Sequence, residues 1–333
     1  MKKKLLKFIT ITTLLSVGLV GCGKEEKASP TNANTTTKKN LVVRIGHQPG
    51  HLQPILAEKF GYFKEEFEKD NIKIELKEFA AGPPIIEAFA AGELDLGLTG
   101  DQPALQGKAN NIDLKAIASY GATESGNALI AAKGSKVEKI KDLKGKKVGV
   151  TIGSVAHQLI LIQLESVGLK QSDIKLVNLS PGDIYTSIVS KNIDAAVTWE
   201  PNISKAVSSG AAKIIADGTG YKYNVNIIVG NNKFLKENPD ITARILKVFN
   251  KTVDWADKNP DEAIDIIAKE AGLDKSAFDA SFKKFSRDLP LDKKRIDSIE
   301  QTAKYLKKNN IIRTDINVND FIDTSYLEAA GIK

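Results

Sequence analysis

LVVRIGHQPGHLQPILAEKFG, residues 41–61, decides the fold. It opens on a short apolar run rich in β-branched residues, which suits a buried strand. Gln48-Pro49-Gly50 interrupts that run, and from Leu52 apolar residues recur at helical spacing until Gly61 stops them. Strand, loop and helix make half of a βα unit, and the same signals return downstream. Residues 72–79 (IKIELKEF) alternate as a strand, Pro83 and Pro84 stand where a helix can begin, and residues 85–91 carry that helix to Gly92. Residues 94–98 read as a buried strand, Asp101 is placed to cap a helix over 102–109, and another strand falls at 114–119. Alternation of this kind implies a mainly parallel sheet with helices on both faces.

A second α/β series begins near Asn127. Strands are expected at 128–132, 147–151, 174–179, 195–199 and 213–216, with helices over 155–167 and 181–191 and another beginning near Pro201. One further strand is expected at 224–229. Beyond Phe234 the pattern is helical, with apolar stripes at 241–255, 263–271, 278–285 and 296–306, and no short-period repeat is visible. Trp255 lies on one of these stripes and reads as core. A helical tail needs a sheet to cover. The economical arrangement is therefore an α/β protein of two lobes. Residues 41–123 and 224–333 form a discontinuous lobe I, and residues 124–223 form lobe II. Two hinge crossings fall near 124–132 and 223–231.

Composition narrows the class. The chain has 333 residues, 42% hydrophobic and 27% charged, which excludes disorder and leaves room for two domains. Removing the first 21 residues, which hold Lys2, Lys3, Lys4 and Lys7, takes the formal charge from +7 to +3, too little and too dispersed to expect nucleic acid. Those residues read as a secretion signal: a basic start, then an apolar stretch over 8–20, too short to span a bilayer. Leu19-Val20-Gly21-Cys22 resembles a bacterial lipobox, with Cys22, the only cysteine, as the lipidated first residue of the mature chain. Residues 22–40 then read as a flexible tether. The expected location is outside the cytoplasm, lipid-anchored to the cell membrane.

In open α/β sheets, ligands sit beyond the carboxyl ends of strands, where helix N-termini offer free N–H groups. Four loops qualify: Gln48-Pro49-Gly50-His51, the loop at Gly82, Gly100-Asp101-Gln102, and Gly153-Ser154 with His157. At the last, Gly153 removes side-chain bulk and Ser154 supplies a hydroxyl beside free helix amides, an anion cradle; Ser154 as a plain helix cap is the alternative. Ser180 and Asp183 read as a capping box. Trp199, at a strand end and followed by Glu200, is expected to wall the cleft, and Tyr221 to close it. His47 and His51 lie four apart, but Pro49-Gly50 between them argues against a helix that would align them on a metal. HExxH, G-x-S-x-G, P-loop and dinucleotide motifs are absent, so neither metal nor cofactor is expected and no enzyme activity is assigned.

Five stretches together resemble the solute-binding proteins of ABC importers for aliphatic sulfonates, taurine and nitrate: IGHQPG (45–50), GELDLGLTGD (92–101), DLKGKKVGV (142–150), Gly153-Ser154 with His157, and DAAVTWEP (194–201). The resemblance runs from about residue 41 to the C-terminus and implies the type II periplasmic-binding-protein fold. It also implies a sulfonate-type headgroup held by Gln48, Gly50, Ser154 and neighbouring amides, with Asp101, His157 and Trp199 lining the pocket. Gln102 and Glu200 stand where sulfonate members often carry Thr and Asp. The implied role is capture of an aliphatic sulfonate and delivery to a membrane permease by a monomer. Taurine, nitrate or a pyrimidine-type ligand is the alternative, and a cofactor-precursor enzyme on the same fold is the more distant one.

Overall fold

The computed structural model describes residues 40–333, so the signal segment, Cys22 and all but the last residue of the tether lie outside the described residues. Among the described residues ten strands follow one another: β1 (Leu41–His47), β2 (Ile72–Glu78), β3 (Leu96–Gly100), β4 (Leu114–Thr123), β5 (Asn127–Ala132), β6 (Lys147–Val150), β7 (Lys175–Asn178), β8 (Ala195–Trp199), β9 (Ala212–Asp217) and β10 (Asn224–Asn231). They form two five-stranded sheets, ordered β2-β1-β3-β10-β4 and β7-β6-β8-β5-β9. Each order is the other with its strands renumbered. Each sheet is mainly parallel but carries one antiparallel strand: β10 runs against β3 and β4, and β5 against β8 and β9.

Both faces of each sheet are covered, and period-2 alternation sorts the side chains. In β10, Val225, Ile227 and Val229 point into one core, while Ile228 points into the other. Likewise in β5, Leu129 and Ala131 face one layer and Ala128, Ile130 and Ala132 the opposite one. Burying each such Leu, Ile or Val contributes about 1.5–3 kcal/mol relative to exposure. The tail helices supply the cover. Pro239–Lys258 buries Thr242, Ile245, Leu246, Phe249, Val253 and Ala256 along one stripe against the first sheet, and Lys293–Lys308 buries Ile299, Ala303 and Leu306 on its other face.

Several boundaries differ from those read in the sequence. The third strand begins at Leu96, with Leu94 packing into the core from the irregular segment before it, and the helix expected from residue 102 starts at Asp101, with Gly100 in the cap position. A short helix at Tyr62–Phe67 was not expected; it follows Gly61, whose left-handed φ of 69° turns the chain without ending the helical layer. Two further short helices, Val318–Phe321 and Ser325–Ala329, close the C-terminus against the two faces of the first sheet.

Candidate functional site

The carboxyl ends of β1, β3, β6 and β8 and the amino ends of β5 and β10 all open onto one cleft, with a cavity volume of ≈ 130 Å³. From the first sheet come Gln48, Pro49, Gly50 and His51 after β1, Gly82 after β2, and Gly100 at the end of β3. Ser154 and Trp199-Glu200 face them from the second sheet. These halves touch: a Cβ at Gly100 would stand 2.4 Å from Val155 Cγ1, so only glycine permits that approach.

The first loop leaves its donors free. The side-chain amide of Gln48 has no hydrogen-bond partner among the described residues, although Gln48 is 7% exposed. Its backbone N–H donates to His51 Nδ1 at 3.2 Å. That leaves the imidazole proton on Nε2, where it meets Tyr120 Oη at 3.3 Å, and so the Tyr120 hydroxyl proton is available to an acceptor in the cleft. Burial, then the neighbouring His47, pushes His51 down to about 3, and burial pushes Tyr120 up, so the relay stays neutral. Four helices of eight or more residues start at this cleft, Leu52–Lys59, Gly82–Ala90, Asp101–Ala109 and Val155–Ser166; the third carries the Asp101 carboxylate in its first turn, and the N-terminal dipoles of the other three favour negative charge there.

Ser154 behaves as the cap. Its hydroxyl donates to the Thr151 carbonyl at 2.7 Å and accepts from His157 N–H at 3.4 Å, so the proton expected to serve a ligand is already used. Asp101, Gln102, Gly153, His157 and Tyr221 do not line the cleft. Asp101 is fully buried: its carboxylate accepts from Gln102 N–H at 2.8 Å, Lys222 Nζ at 2.7 Å and Thr302 Oγ1 at 2.7 Å, which points it away from the cavity. Gln102 is buried beside it. Gly153 faces Gln106 and Pro83 across the inter-sheet contact, and Tyr221 packs on the second sheet's core. His157 is buried, and burial holds its pKa below the usual range. Ser180 and Asp183 cap their helix. Among the described residues, no group of three or more His, Cys, Asp or Glu comes together as a metal site.

Among the lining residues that the sequence reading missed are Tyr120, whose strand reads only as buried, and two groups of three. Asn127, Asn224 and Asn226 sit at the starts of β5 and β10, polar residues inside otherwise apolar crossing strands, a signal that was available. Phe278 and Phe282 are core, as their helical spacing indicates, and with Phe285 they also line the cleft, which spacing alone does not reveal. Two charged residues line the cleft, and both are compensated. The Glu200 side chain, fully buried, pairs with Lys284 and accepts from Ser204 N–H at 3.0 Å. Arg287 is held by Asp257 at 2.8 and 3.1 Å and by the carbonyls of Phe282 and Phe285.

Two mirrored sheets with a donor-lined cleft between them define a ligand-binding protein of the two-lobed periplasmic-binding type. Residues 48–263 match the model of the NMT1/THI5-like family, and the chain belongs to that family. It is 31% identical to a putative aliphatic sulfonates-binding protein of Bacillus subtilis (strain 168), over 99% of this chain and 97% of the relative. Among solved structures, it is similar to the periplasmic aliphatic sulphonate binding protein SsuA from Escherichia coli. The TM-score is 0.74 at 26% identity, covering 85% of this chain and 97% of that one. The fold is also that of the alkanesulfonate-binding protein SsuA from Xanthomonas axonopodis pv. citri, with a TM-score of 0.78 at 24% identity over 85% of this chain and 98% of that one.

Proposed function

We propose that this protein is the extracytoplasmic solute-binding component of an ABC importer, capturing aliphatic sulfonates between its lobes and delivering them to a permease. The observation that carries the reading is the chemistry of the cleft. Three helix N-termini and the unspent donors of Gln48 and Tyr120 converge where the only lining carboxylate, Glu200, is already neutralised by Lys284. Such a site favours an anion with acceptor oxygens and no proton to give, which describes a sulfonate. The names of the relatives point to the same ligand class. On this reading residues 41–123 and 224–333 form lobe I, residues 124–223 form lobe II, and the crossings near 124–132 and 223–231 act as the hinge. The protein works as a monomer, tethered through lipidated Cys22 and residues 22–40 outside the cytoplasm, and performs no chemical step. A thermal-shift panel of the purified chain with ethanesulfonate, taurine, nitrate, sulfate and pyrimidines tests it. A ligand at 100 times its Kd stabilises by about 2.7 kcal/mol. Stabilisation by nitrate or a pyrimidine with none by any sulfonate would replace the ligand class.

A further inference from the structure

The two ends of the cleft differ in chemistry and in origin. Head-group donors come from loops at Gln48–Gly50, Gly82 and Val155, all inside the stretch matched to the family, residues 48–263. The opposite wall comes from the helix Lys275–Phe282 and the segment after it, outside that stretch. Phe278, Phe282 and Phe285 all reach the cleft from it, and Trp199 and Pro201 face it from the second sheet. Apart from Pro49, Pro103 and Pro201, the aliphatic side chains in the lining are Leu52 and Val155. The wall is held rigidly. Arg287 stacks its guanidinium over the Phe282 ring with 4.0 Å to the centroid, Phe278 and Phe282 pack with centroids 6.4 Å apart, and Lys284 ties the segment to buried Glu200. Phe278 also reaches the head-group loop, where a Cβ on Gly50 would stand 3.5 Å from Phe278 Cε2.

We infer that, among sulfonates, this chain prefers a monoanion whose tail is an uncharged apolar ring, and that residues 278–287 set that preference. The inference rests on the sulfonate reading above. A flat ring gains offset or edge contacts with the surrounding aromatic faces, and it brings no rotatable bonds to freeze, whereas a linear alkyl chain does. Neither charged lining residue is free for a second ionic group on the ligand: Glu200 is engaged by Lys284 and Arg287 by Asp257. A tail ammonium therefore finds no carboxylate to pair with, and a tail carboxylate finds no cation.

Calorimetry on the full chain with benzenesulfonate, ethanesulfonate and taurine tests this. Benzenesulfonate is expected to bind at least about tenfold tighter than ethanesulfonate, and taurine no tighter than ethanesulfonate. In Phe285→Ala the benzenesulfonate-to-ethanesulfonate ratio should fall to about threefold or less, and Phe282→Leu, which keeps apolar bulk, should lower the same ratio in a folded protein. Equal binding of ethanesulfonate and benzenesulfonate, a preference for taurine, or an unchanged ratio in both variants would overturn the inference while leaving the sulfonate reading in place. Binding of none of the three would remove both.

Discussion

The loop after β1 and the loop after β6 occupy the same place in two sheets of the same strand order, and they make the same turn. Gly50 and Gly153 each stand two residues before a helix with φ of 83° and 82°, and the N–H of the following residue returns 3.2 Å to a carbonyl three residues back, His51 to Gln48 and Ser154 to Thr151. What differs is the side chain at the cap. Ser154 uses its hydroxyl on its own turn and its own helix. His51 makes no cap to its helix: its Nδ1 accepts from Gln48 N–H and its Nε2 faces Tyr120, leaving that helix's first N–H groups and the Gln48 side-chain amide without side-chain partners. One plan thus serves two purposes: the second loop is finished within itself, and the first keeps donors free for the proposed ligand. The equivalence continues at the next strand. A buried carboxylate directly follows β3 and β8 alike, Asp101 and Glu200, and each takes a lysine from a distant segment.

That last pair offers the largest expected effect. Asp101 and Lys222 are 0% and 6% exposed, so Lys222→Met leaves a buried carboxylate uncompensated and should cost about 3–5 kcal/mol in chemical unfolding. Lys284 is 25% exposed, and water can replace it at Glu200; Lys284→Met should cost only about 1–2 kcal/mol. Equal costs would mean that the two carboxylates are not held differently after all.

The two loops themselves come next. Gln48→Ala should weaken ethanesulfonate binding by about 1–3 kcal/mol with little change in stability, since it removes a donor that nothing else uses. Ser154→Ala should do the reverse, costing about 1 kcal/mol of stability through the lost cap and leaving affinity within about twofold. Calorimetry and denaturant titration on both variants separate these outcomes, and a large affinity loss in Ser154→Ala would return the headgroup to the second loop. Gly50→Ala and Gly153→Ala should each cost about 1–2 kcal/mol, because both place a Cβ residue at a left-handed φ.

Much of this plan was legible in the chain. Strand and helix order followed from apolar periodicity and from glycine and proline punctuation, because both faces of each sheet are buried and the signal is strong. The loops at Gln48, Gly82 and Ser154 were found because helix N-termini declare themselves by local sequence. Local sequence reads Asp101 as a cap and only the resemblance puts it in the pocket; its place away from the cleft is fixed by Lys222 and Thr302, more than a hundred residues away, which no local pattern reveals. The role of Ser154 turned on a hydroxyl's direction, and the mirrored strand order left no repeat in the sequence to reveal it.

The smallest expected effect concerns pH, and it probes the relay that sets the first loop apart. His51 is held neutral down to about 3 by burial and by His47, and Tyr120 is held above its usual range by burial. Neither changes charge between about pH 5 and 8, so ethanesulfonate affinity should vary by less than about twofold across that window. Stability behaves differently. The unfolded chain takes a proton on His51 near its ordinary 6.5 and the folded chain does not until about 3, so stability is full above 6.5 and falls as pH drops below it. The slope is bounded by one proton, about 1.4 kcal/mol per pH unit, and His51→Gln should remove the share that His51 contributes. His157, also held down by burial, contributes in the same direction from the second loop, so the slope alone does not separate the two halves. Affinity does, because only His51 reaches the cleft. A tenfold loss of binding between pH 7 and 5.5 would mean that His51 titrates in the folded protein, and the Tyr120 proton would then not be the donor that the first loop presents.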